Sequence, residues 1–371
     1  MRKTGLIIII LIFITIFFSL PLLASNTIKI GATFPLSGKL AKYGEGFKMA
    51  VDLAVEEINQ KGGINGKKLE IIYEDNKSTA NDSVSAIRKL INVYKLPIIF
   101  GPAASSNFLA VCPIAQANKT VLIGAESAAA AISKCGDYVF RVFPSDKLQG
   151  AGVAKLTLSL GYKEVPVMYI NNDWGAGLKD VFKEKYLSEG GKITQEIPYA
   201  QGKSDYRTEL IKATKNHPKA IVNLTYFNEG AIMFKQAYQM GIKTQWIVGS
   251  AAKSPKLIEL AGKRAVEGII GTYPTFSHDT PQYKHFLEAW KKKYHTTKIP
   301  IFAEFNYDMT NLAAKAIAKG GYTADGIKKA LFEVSKGYIG VTGDKTFDKN
   351  GDVGSEYGRW TIKDGKIVDL K

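Results

Sequence analysis

An α/β fold built on parallel sheets is what the order of apolar segments predicts. Runs of strand length alternate with segments of helical periodicity along the whole chain, a pattern that calls for parallel strands covered by helices. The strands outnumber what one sheet needs, and 371 residues exceed what a single core comfortably holds, so two lobes are expected. With 46% hydrophobic and 23% charged residues, the chain has the composition of a globular protein.

The first segment stands apart. Arg2 and Lys3 precede an apolar run over residues 6–18, and Pro21 leads into Leu22-Leu23-Ala24-Ser25. A charged start, an apolar middle and a small-residue exit read as a signal peptide over residues 1–24, cleaved after Ala24, which places the mature chain outside the cytoplasm. An uncleaved anchor is the rival reading, since residues 5–23 nearly reach spanning length. The short apolar run and the polar exit favour cleavage. No cysteine follows the apolar run, so a lipid anchor is not indicated.

Residues 28–34 (IKIGATF) read as a strand, and residues 36–46, with Ser37-Gly38 and Tyr43-Gly44, as a loop. Over 47–61, Phe47, Ala50, Val51, Ala54, Val55 and Ile58 recur at helical spacing, and Gly62-Gly63 ends the helix. Asn65-Gly66 turns the chain into a strand over 68–73, and 80–93 is a second amphipathic helix. Next comes LPIIFGPAASS, residues 96–106. Ile98-Ile99-Phe100 is a buried strand, Gly101-Pro102 stops it, and Ala103 to Ser106 lead into a helix over 108–117. Free N–H groups at that helix start, with serine hydroxyls beside them, suit a carboxylate as well as an ordinary cap.

The alternation continues with strands at 121–124, 138–143, 165–170, 193–197, 220–224 and 246–249. Helices fall at 148–160, 175–189, 206–215, 229–240, 281–294, 304–319 and 324–334. The tail, 346–347 with 358–368 around Asn350-Gly351, reads as a hairpin.

Catalytic patterns are missing from this chain. The four histidines, His217, His278, His285 and His295, form no HExxH, and there is no GxSxG or phosphate-binding GxxxxGK[ST]. Tyr43-Gly44-Glu45-Gly46 lacks the last glycine of a dinucleotide fingerprint, Met49 standing there. Asp348-x-Asn350-x-Asp352 hints at a calcium loop, but Val353 replaces its glycine and no Glu closes it. No enzyme, metal or cofactor is therefore expected. The formal charge of +16 raises nucleic acid as a partner, yet the lysines are scattered, with 291–293 the one short run, and no nucleic-acid motif accompanies them. Cys112 and Cys135 are either two free thiols or one bridge of an exported protein.

Several phrases together carry a family resemblance: IKIGATFPLSGKLAKYGEGFKMAVDLAVEEIN, QKGGINGKKLEIIYED, FGPAASS, YVFRVFPSD, QAYQMGIKTQWIVG and AEFNYDMTNLAAKAI. After residue 24 the chain resembles the periplasmic leucine/isoleucine/valine-binding proteins, type I solute-binding proteins of ABC transporters. The resemblance implies two doubly wound lobes joined by a three-strand hinge, with ligand between them. Lobe one is then 27–142 plus 273–340 and lobe two 143–272 plus 341–371, with crossings near 140–143, 271–276 and 340–347. It implies a monomer that binds an amino acid, branched-chain or related, and passes it to a membrane permease.

Carried residue by residue, the resemblance puts Tyr43 at a pocket aromatic, Ser105 at the hydroxyl that meets the ligand carboxylate, and Tyr226 near the amino group. Phe302 falls on an apolar wall. Trp174 stands where the family commonly has Tyr. Ala128 replaces a threonine that helps hold the carboxylate, unless the register slips by one and Ser127 supplies the hydroxyl. Ala251 stands where the family has the glutamate that neutralises the ligand's ammonium. Glu126 lies in the loop whose carbonyl normally meets that ammonium. Either it points inward and moves the counter-charge to lobe one, or it faces solvent and the cleft suits a small amide or a carboxylic acid without an amine. A sensor that signals to a membrane receptor has the same residues as a transport protein.

Overall fold

The computed structural model describes residues 27–370, so the signal-peptide reading falls outside the described residues. The first sheet uses β1 (Thr27–Phe34), β2 (Lys68–Asp75), β3 (Ile98–Phe100), β4 (Val121–Gly124) and β5 (Val139–Arg141), all parallel, in the order β2-β1-β3-β4-β5. Its connections are α1 (Ala41–Gln60), α2 (Ala80–Asn92) and α3 (Ser105–Ala117). The unbroken apolar runs follow from helices on both faces. Ile98, Phe100, Val121 and Ile123 enter the core on one side of the sheet, while Ile99 and Leu122 enter the one on the other.

The second layer follows as α4 (Asp146–Ser159), β6 (Glu164–Ile170), α5 (Asp173–Ser188), β7 (Lys192–Tyr199), α6 (Arg207–Thr214), β8 (Ala220–Leu224), α7 (Phe227–Gln239) and β9 (Gln245–Val248). After β9 come α8 (Pro255–Ala261), α9 (Lys263–Val266) and β10 (Ile270–Pro274). The chain then returns to the first layer with α10 (Pro281–Tyr294), α11 (Ala303–Gly320) and α12 (Ala324–Val334). Tyr283, Phe286, Trp290 and Tyr307 share a core with Ala50, Leu53 and Ala54 of α1. A small ladder of β11 (Ile339–Gly340) and β12 (Gly343–Asp344) precedes β13 (Tyr357–Lys363) and β14 (Lys366–Leu370), which complete the second sheet. Its order is β14-β13-β10-β9-β8-β6-β7, parallel except for β13 and β14.

Two local expectations need correction. The segment read as a loop over 36–46 is helical from Ala41, because Gly44 and Gly46 serve close packing and not a turn. A Cβ on Gly44 would lie 2.1 Å from the Pro35 carbonyl oxygen, and one on Gly46 would lie 2.5 Å from Pro300 Cβ. The tail hairpin turns at Asp364-Gly365, between β13 and β14, and not at Asn350-Gly351. Asn350-Gly351 instead caps a separate small loop closed by the Phe347–Val353 bridge, in which Asp348 Oδ1 accepts from the N–H groups of Asn350 and Asp352.

The chain passes between the layers after β5, after β10 and after α12. The first and third passages are tied together. Arg141, fully buried at the end of β5, donates through Nε to Asp352 Oδ1 at 2.7 Å and through its other nitrogens to Ala129 O and Ser133 Oγ. A Cys112–Cys135 disulfide links α3 to the segment that follows the 125–129 loop. Among the described residues no helix is long and apolar enough to cross a membrane.

Candidate functional site

Both sheets turn the carboxyl ends of strands towards a shared space, where open parallel sheets place their sites. From the first layer, the loop after β3 brings Ala103, Ala104 and Ser105, and the loop after β4 brings Glu126 and Ala128. The first turn of α1 adds Tyr43, and the residue before α11 is Phe302. The second layer adds Trp174 from α5, Tyr226 before α7, and Ser250 and Ala251 after β9. The space between them is tight, about 30 Å³ in volume.

Eight of the nine expected residues thus meet in one wall. Ser127 does not: its hydroxyl turns back to the carbonyls of Pro102 and Ala103, at 2.8 and 2.6 Å. It fastens the β3 and β4 loops to each other. Arg141 braces the same loop from beneath through Ala129 O. Ser105 Oγ accepts from the N–H of Ala129 at 3.1 Å, a third link between the two loops. Short strands with tied loops hold their tips without needing large residues there.

Tyr43 joins the layers. Its hydroxyl donates to Ala251 O at 3.0 Å and accepts from Phe227 N–H at 3.1 Å, both in the second layer. Burial pushes its phenol well above the ordinary range, so it stays a neutral donor and acceptor. Trp174 and Tyr226 stack with ring centroids 4.7 Å apart, and Asn172 Nδ2 donates to Tyr226 Oη. Phe302 closes the other side against Phe143 and Tyr43 from a left-handed backbone (φ 65°), a conformation a bulky residue adopts only under constraint.

The α3 N-terminus opens into this space. Ala104 is its N-cap and supplies no side-chain cap, so the first N–H groups lack the partner that Ser, Thr, Asn or Asp would give. Outside contacts also span the layers: Ser106 Oγ accepts from Asp173 N–H, and Asn228 Nδ2 donates to Lys39 O.

Glu126 points inward. Its Oε2 accepts from Asn306 Nδ2 of α11 at 3.2 Å, and its Oε1, also buried, has no partner. Desolvation raises its carboxyl to about 8, opposed chiefly by the hydrogen bond from Asn306. Asp146, just behind Trp174, is raised to about 7, again chiefly by desolvation.

Sequence reasoning missed Leu40, Phe47, Phe143 and Ser250 in the wall and Asn306 behind it. Leu40 lies inside the segment read as a loop and Phe47 directly after it, and extending the helical register of α1 back through that segment is the signal that would have found them. Asn306 gave none.

The chain matches the periplasmic binding protein family over residues 27–365. A leucine-, isoleucine-, valine-, threonine- and alanine-binding protein of Pseudomonas aeruginosa is 25% identical over 89% of this chain and 88% of its own. The crystal structure of a leucine-binding protein, LivK, from Thermotoga maritima superposes with a TM-score of 0.86 at 27% identity, covering 93% of this chain and 98% of that one. The branched-chain amino acid transporter substrate-binding protein LivJ of Streptococcus pneumoniae, in complex with isoleucine, gives a TM-score of 0.84 at 30% identity, covering 93% and 100%.

Proposed function

The chain belongs to the periplasmic binding protein family, and on that premise we propose that it captures an amino acid with an apolar side chain between its layers and delivers it to an ABC permease. It is a binding protein and not an enzyme. The observation that carries the amino-acid reading is the composition of the wall. An uncapped helix N-terminus beside Ser105 suits a carboxylate, and Leu40, Phe47, Phe143 and Phe302 offer an apolar bed. The names of the relatives agree with that class of ligand.

On this reading the two lobes are 27–142 with 273–340, and 143–272 with 341–371, and the mature protein works as an extracytoplasmic monomer. Contacts such as Tyr43 to Ala251 and Phe227 exist only when the lobes meet, so a ligand held by both walls favours the closed form. A permease then recognises the closed pair.

Thermal unfolding against a panel of amino acids, small amides and organic acids tests the reading. Leucine, isoleucine or valine at 100 times Kd is expected to stabilise the protein by about 2.7 kcal/mol, through mass action. If no amino acid raises the Tm while an amide or an amine-free acid does, the amino-acid reading is lost.

A further inference from the structure

The wall has one carboxyl group and no lysine, arginine or histidine. Position 251, where the resemblance calls for an acidic residue in the second layer, holds only the methyl group of Ala251. Glu126 is 8% exposed, and its Oε1 is without a donor. Asn306, which holds the other carboxyl oxygen, is fully buried, and its Oδ1 is without a donor too. Two acceptors on hydrogen-bonded neighbours thus both lack the donor that buried polar groups almost always have.

We propose that Glu126, supported by Asn306, is the group that receives the ligand's ammonium, so that both poles of a zwitterionic amino acid are held by the first lobe. The inference rests on the amino-acid reading above and deepens it. An ammonium carries three N–H donors and a full positive charge. A neutral amide could donate to the acceptors but brings no positive charge, whereas an ammonium also favours the ionised carboxylate over the protonated form that burial otherwise holds.

The strand order supports the placement. Ser105 and the α3 N-terminus follow β3, while Glu126 follows β4, and these strands are paired neighbours from Ile98↔Val121 to Phe100↔Ile123. Adjacent strands run about 4.8 Å apart, a spacing that suits two loops gripping neighbouring groups on one small molecule. The second layer then presents neutral groups to the ligand: the stacked Trp174 and Tyr226, Ser250 and Ala251. A ligand of this class settles on the first lobe with both charges met, and closure of the second lobe covers it.

Calorimetric titration with L-leucine and with 4-methylpentanoate, the same skeleton without the amine, tests the assignment. The wild-type protein is expected to favour leucine. Glu126→Gln should weaken leucine by about 10- to 100-fold, the usual scale for a charge-assisted contact, and leave 4-methylpentanoate within a few-fold. Adding Ala251→Glu to Glu126→Gln returns a carboxylate from the opposite wall and should recover part of the leucine affinity. Equal leucine affinity in wild type and Glu126→Gln would sink the assignment. So would a wild type that binds both compounds alike. A wild type that binds neither overturns the amino-acid reading itself, and the assignment with it. Should Glu126→Gln not fold, Glu126→Asp keeps the charge and shortens its reach, and leucine alone should weaken; unchanged leucine affinity there overturns the assignment.

Discussion

Glu126, Asp146 and Glu304 are buried carboxyls raised by desolvation to about 8, 7 and 7. In the folded chain each keeps its proton through a range where the unfolded chain has already lost it. Folded protein then binds more protons than unfolded, so stability falls as pH rises from about 4.5 towards 8. Lys345, lowered to about 8, acts in the opposite sense only above that window. Differential scanning fluorimetry on ligand-free protein should show the highest Tm in mildly acidic buffer and a decline towards pH 8. Glu126→Gln removes one of the three contributions. It should flatten the slope and raise the neutral-pH Tm by a few degrees, because holding one extra proton costs about 1.4 kcal/mol for each pH step of one crossed. An unchanged slope would mean that Glu126 is not buried as described. At this scale the sequence was informative about identity and poor about direction. Glu126 and Ala251 could be singled out through the family resemblance, but whether a loop carboxyl faces inward depends on Asn306, 180 residues away.

Among the elements, α1 shows how a turn signal misleads. Tyr43-Gly44-Glu45-Gly46 has the composition of a loop, yet these glycines let the first turns lie against Pro35 and Pro300. That contact sets Tyr43 in the wall. Gly44→Ala would drive its Cβ onto a carbonyl oxygen and should cost about 1–3 kcal/mol of stability, read as a lower denaturation midpoint, with weaker ligand binding because Tyr43 shifts. Stability and affinity equal to wild type would count against this packing role. The buried strands were legible because they are short, apolar and bounded by Gly or Pro: β3 was found residue for residue, as were β4 and β8. The helices α8 and α9 were not, since seven and four residues are too few to show a period. For β13 and β14, the Asn350-Gly351 pair upstream drew the turn away from Asp364-Gly365.

For the molecule as a whole, the Tyr43 hydroxyl isolates the energetics of closure, because both of its hydrogen bonds reach the other layer. Tyr43→Phe removes them and keeps the ring. It should lower ligand affinity by about 3- to 10-fold, the scale of one net hydrogen bond, with a faster off-rate. Surface plasmon resonance measures both, and an unchanged off-rate would deny the hydroxyl any part in holding the lobes shut. The general architecture could be read from alternation and length, whereas the return of α10 to α12 to the first layer was implied by the family resemblance alone, because periodicity says nothing of which sheet a helix covers.

The Arg141–Asp352 pair has a mechanical consequence. It ties the end of β5 to the segment that leads into β13, and β13 is itself paired with β10 as far as Pro274, so the three linking segments are laced to one another. A joint whose strands are fastened side by side bends as one piece and resists sliding, so the halves should meet in the same register on every stroke.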